Sequence, residues 1–210
     1  MIKPYQITGE SRYLGLPIGF GILGVTYAVS AFVFSQMYIF GNGTMYIQLV
    51  LRTFAFIFLV ITYYFSRKSG ENKRWLWNTT IALLIIGAVV SFVLVSIPDV
   101  VALFGYQNLS FFVRVFNIVC IGYLIAHTLR SHIETPDPET IWIPLSYILF
   151  AISQGLLIIY AIDTTTSASS MAAWWSALAI RWAALSVFLF VAYRSFYSVK
   201  KRLINEKNRA

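Results

Sequence analysis

Three apolar stretches, "LVLRTFA" (49–55), "FFVRVFN" (111–117) and "LAIRWAA" (178–184), each carry a single arginine. These arginines, Arg52, Arg114 and Arg181, recur at intervals of 62 and 67 residues. A guanidinium is always charged, and its planar fork presents paired donors that match a carboxylate or a phosphate. At the centre of a membrane helix an arginine costs about 2.5–3.5 kcal/mol, and it usually faces a bundle interior or water. Three of them together would form an electropositive site for a small organic anion, a phosphate or a lipid headgroup. Gln154, Asn117, Tyr27 and Thr26 also interrupt apolar runs and could hydrogen-bond the same ligand. A purely structural role competes with this one. Each arginine could snorkel to the headgroups and pair with an acid, and Asp99 and Asp163 stand 15 and 18 residues before Arg114 and Arg181. The first stretch has only Asn42 at the comparable place.

Other chemistries lack their residues. No Ser/His/Asp set, paired carboxylate, metal motif or phosphate-binding glycine loop occurs, which argues against an enzyme. Two histidines and one cysteine make no metal or haem constellation, so no cofactor is expected. Cys120 has no partner for an internal disulfide and reads as a packing residue. The acidic loop "ETPDPE" (134–139) reads as a solvated turn. Too few acids lie in the apolar runs for a proton relay or a cation-coupled carrier.

The elements that must position the arginines follow from composition. The 210 residues are 59% hydrophobic and only 11% charged, against about 25% charged in soluble domains. Runs of 18 or more apolar residues recur along the chain, so it reads as an all-α polytopic membrane protein. Six spans are expected, at 13–40, 45–66, 75–97, 108–130, 140–162 and 171–198. Turn and charge signals separate them, among them "GNGT" (41–44), "RKSGENKR" (67–74) and "DTTTSASS" (163–170). The first span is too long for a signal-peptide core.

Charge sets the direction. Thirteen of the sixteen Lys and Arg residues lie in the N-terminal segment, the 67–74 loop, the region from Arg130 and the tail from Arg194. The alternate loops hold none. Both termini are therefore expected in the cytoplasm of a cell-membrane protein. The net charge of +8 reflects this topology and implies no nucleic-acid partner. The basic tail, 199–210, reads as a cytoplasmic anchor beside anionic lipid.

The remaining three basic residues are Arg52, Arg114 and Arg181, all on the even-numbered spans, in the expected outer half of the bilayer. Pro17 and Pro144 precede Arg52 and Arg181 by 35 and 37 residues, and Thr26-Tyr27 and Ser153-Gln154 follow those prolines at similar spacing. This predicts three parallel helical hairpins, at 13–66, 75–130 and 140–198, in a pseudo-threefold arrangement about the membrane normal. The Pro-x-acid-x-x-base signature of mitochondrial-type carriers and the Met-His-Tyr-Thr motif of three-hairpin sensory domains are both missing.

Secondary features read as membrane architecture. Gly15, Gly19, Gly21 and Gly24 would give the first span a smooth packing face. Trp75, Trp77, Trp142, Trp174 and Trp175 fit an interfacial aromatic belt. His127 and His132 lie at the cytoplasmic end of the fourth span. Three roles fit the whole: binding or transport of a small anion at a three-arginine site, an accessory subunit joined to partner membrane proteins, or a membrane sensor reporting to a cytoplasmic partner.

Overall fold

A computed structural model describes residues 18–28, 43–67, 73–95, 97, 105–134, 141–162 and 168–207. Six helices make up almost all of this. They are α1 (Ile18–Ala28), α2 (Gly43–Arg67), α3 (Lys73–Val95), α4 (Tyr106–Glu134), α5 (Trp142–Ile162) and α6 (Ala168–Lys207). The last five are long and apolar enough to cross a bilayer. The chain is a multi-pass membrane protein. α1 occupies part of the first expected span; the rest of that span, with Gly15 and Pro17, lies outside the described residues.

Local chemistry accounts for the helix limits. Gly105, at φ 61°, takes a left-handed conformation just before α4, and its carbonyl accepts the Leu109 N–H at 3.2 Å. Pro144 falls in the first turn of α5, where its missing N–H breaks no helical hydrogen bond. Two helices outrun their expected ends. α4 continues to Glu134, where Arg130 Nε donates to Glu134 Oε1 at 2.8 Å across one turn. α6 continues to Lys207, because Lys, Arg, Leu and Glu in the tail are good helix formers. Its 40 residues would span about 60 Å, twice a hydrocarbon core.

The fold divides into two units at Cys120. In the first, α1 and α3 each pack antiparallel to α2. Gly19 on α1 sits against Leu59 and Phe58, while Tyr27, two turns on, meets Arg52. Trp77 on α3 stacks edge-on against Phe58 and Phe65, with ring centroids at 6.1 and 5.7 Å. Gly87, ten residues further along α3, faces Phe54. Tyr46 and Tyr106, in the first turns of α2 and α4, form an edge-to-face pair at 5.3 Å. In the second unit α5 packs antiparallel along α6. Ser153 meets Ala177 near one end, and Tyr147 and Phe150 meet Phe188 near the other, at 5.0 and 5.9 Å.

Two expectations are corrected here. Trp77 is a buried core residue, not a belt residue; Trp75, two positions earlier and on the opposite side of the helix, is exposed. The smooth face of α1 is narrower than expected. Gly19 lies on its buried stripe with Leu23 and Thr26, whereas Gly21 and Gly24 are exposed, with no described side chain near them.

Candidate functional site

The buried stripes of α2, α4 and α6 share one register about their arginines. Arg52, Arg114 and Arg181 are 9%, 8% and 6% exposed. The residue three positions on is buried in each helix: Ala55, Asn117 and Ala184. On α2 and α4 the match runs further, because Phe58, Leu59 and Thr62 are buried like Cys120, Ile121 and Leu124 at the same offsets. A 3.6-residue period gathers these positions on one face of each helix, so each arginine points with the apolar core stripe and away from the exposed side.

In the first unit the Arg52 guanidinium carbon lies 5.1 Å from the centre of the Tyr27 ring. This is a cation–π geometry, which attracts a desolvated guanidinium by about 2 kcal/mol. The Tyr46–Tyr106 pair ties the starts of α2 and α4 together. Arg52 lies six residues beyond its tyrosine and Arg114 eight, or about 9 and 12 Å along their helices. Arg114 has buried polar neighbours one turn to either side, Ser110 and Asn117. Among the described residues, neither the Ser110 hydroxyl nor either polar atom of the Asn117 amide has a hydrogen-bond partner. A buried polar group left this way costs about 1–3 kcal/mol. Because both ends of the Asn117 amide are open, turning it over relieves nothing.

In the second unit Arg181 lies one turn beyond Ala177 on α6. The Ala177 carbonyl accepts a hydrogen bond from Ser153 Oγ at 2.8 Å. Gln154 follows Ser153 on α5 and is 1% exposed; its Nε2 has no hydrogen-bond partner among the described residues. Arg181 and Gln154 thus spring from packed helices about one to two turns apart in depth.

Two polar residues are absorbed by the fold. Thr26 Oγ1 donates to the Ile22 carbonyl of its own helix at 2.8 Å, and Ser153 joins α5 to α6. His127 is half-buried with its ring 6.1 Å from Tyr123. Asp99, Asp163 and Asn42, the expected outer partners of the arginines, lie outside the described residues. No group of three metal-ligating side chains occurs among the described residues. Ser110 is the site residue that the sequence reading missed, although its position four residues before Arg114 is visible there.

In each unit a buried arginine thus shares the interior of apolar helices with neutral hydrogen-bonding groups. No family model, curated protein or solved structure matches the chain.

Proposed function

We propose that this membrane protein binds, and in doing so can transport, a small anion from the outer side through Arg52, Arg114 and Arg181. The observation that carries the reading is the common register of the three arginines in buried stripes, each with a buried residue one turn on. A snorkelling arginine keeps its head in the headgroup layer and leaves the core stripe to apolar residues. An arginine that instead replaces a core position offers a cationic group that an anion can neutralise with paired hydrogen bonds. The three hairpins, 13–66, 75–130 and 140–198, would derive from one duplicated unit, with both termini in the cytoplasm. Tyr27 and Gln154 supply the first and third hairpins with a ring and an amide beside the arginine, and Asn117 supplies the second.

The test is flux. The full chain, reconstituted in liposomes, should exchange a labelled carboxylate or phosphate from a broad anion panel, and Arg114→Gln should abolish the exchange. Neither flux nor saturable binding of any anion in that panel would overturn the proposal.

A further inference from the structure

Asn117 departs from the pattern that its own helix position sets. The residue one turn beyond the arginine is alanine on α2 (Ala55) and on α6 (Ala184), both fully buried. On α4 the same place holds an amide, 0% exposed, with Nδ2 and Oδ1 both without a hydrogen-bond partner among the described residues. Packing alone asks for nothing polar there, since two helices fill the position with a methyl group. Ser110, one turn to the other side of Arg114, repeats the situation with its own buried and unpartnered hydroxyl. The face therefore alternates neutral, cationic and neutral groups over two helical turns, and the two neutral groups lack partners among the described residues.

We infer that Ser110, Arg114 and Asn117 form a recognition face for an anion that also carries a neutral hydroxyl or amide group. This rests on the anion reading above and adds the ligand's class to it. Arg114 supplies donors only, so it takes the carboxylate or phosphate oxygens. The Asn117 carbonyl needs a donor and its NH₂ needs an acceptor, and a halide, a phosphodiester without hydroxyls or a simple alkyl carboxylate offers no donor. An alcohol satisfies both ends of the amide, and Ser110 can donate to or accept from the same ligand. A soluble hydroxy acid presents this chemistry, and so does the glycerol headgroup of an anionic lipid.

Two matched pairs of probes separate these sources on the full chain in detergent micelles. Lactate is compared with propionate by titration calorimetry. Phosphatidylglycerol is compared with phosphatidylmethanol, which keeps the phosphodiester and lacks the hydroxyls. The wild-type chain should bind the hydroxylated member of one pair about tenfold tighter, the factor expected of one added buried hydrogen bond. Asn117→Ala, which installs the residue of the matching positions, should reduce that preference to about twofold or less. Should Asn117→Ala not purify folded, the nearly isosteric Asn117→Leu serves. Preference for lactate identifies a soluble ligand, and preference for phosphatidylglycerol identifies a headgroup. Equal binding within both pairs, with Arg114→Gln still removing it, overturns this inference and keeps the anion site. Preference that survives Asn117→Ala also overturns it. If no probe binds, or Arg114→Gln changes nothing, the anion reading fails and this inference fails with it.

Discussion

The guanidinium of Arg52 on α2 sits 5.1 Å from the ring of Tyr27 on α1, so the first arginine is held by an aromatic face from the preceding helix. The contact fixes the register of two antiparallel helices and partly offsets the cost of burying charge. Tyr27→Phe keeps the ring and should change unfolding free energy by about 0.5 kcal/mol or less, whereas Tyr27→Leu should lose about 1–2 kcal/mol. Chemical unfolding in mixed micelles measures both. Equal effects of the two substitutions would place the contribution in the tyrosine hydroxyl.

Gly19 meets α2 more closely than any side chain could. A Cβ there would stand 2.5 Å from Leu59 Cδ2 and 2.8 Å from Leu59 Cγ, and Leu59 is itself fully buried. Gly19→Ala should destabilise the chain by about 1–3 kcal/mol through overpacking. Gly21→Ala and Gly24→Ala, on the exposed face, should be neutral or stabilise by up to about 1 kcal/mol. Thermal unfolding of the three variants gives the comparison, and a tolerated Gly19→Ala would rule out the described α1–α2 packing.

The α5–α6 pair rests on one hydrogen bond and an aromatic cluster. Ser153→Ala removes the bond to the Ala177 carbonyl, and such bonds within membranes average about 0.6 kcal/mol. Phe188→Ala removes the ring that meets both Tyr147 and Phe150 and should cost about 3–5 kcal/mol. Unfolding monitored by tryptophan fluorescence ranks the two. Should Ser153→Ala prove the more damaging, the cluster would not be the main bond between these helices.

Trp77 tests the corrected aromatic assignment. Its ring fills a space bounded by Phe58 and Phe65, so Trp77→Ala should destabilise by about 3–5 kcal/mol, while Trp75→Ala should stay within about 0.5 kcal/mol. Acrylamide quenching gives an independent check, since Trp77 emission should resist the quencher and Trp75 emission should not.

The membrane class and five of the spans were legible in the sequence because an apolar run of twenty residues has few other uses. The arginines were legible for the same reason, since a lone charge stands out in such a run. What the sequence hid depends on which side of a helix a residue occupies. Trp75 and Trp77 are two residues apart and look equally interfacial, yet a 200° rotation puts one on the exposed side and the other in the core. Gly19, Gly21 and Gly24 look like one smooth surface until the buried stripe through Leu23 and Thr26 singles out Gly19. Ser153 and Gln154 looked like a pair, but adjacent residues diverge by 100°, and only Ser153 found a carbonyl across the helix boundary. The partnership of Tyr27 with Arg52 depends on interhelical register, which no pattern along one chain segment encodes.

The central claim is that buried arginines hold an anion, and arginine side-chain NMR reads those atoms directly. The full chain, labelled with ¹⁵N-arginine and embedded in phosphatidylcholine nanodiscs, should be titrated in parallel with lactate and with phosphatidylglycerol. Arg52→Gln, Arg114→Gln and Arg181→Gln assign the three buried Nε–H resonances. The account predicts that these three shift saturably with one of the two anions, while Arg130, exposed and bonded to Glu134, stays fixed. Uniform shifts that rise without saturation across all arginines, or three buried resonances that move with neither anion, would contradict it.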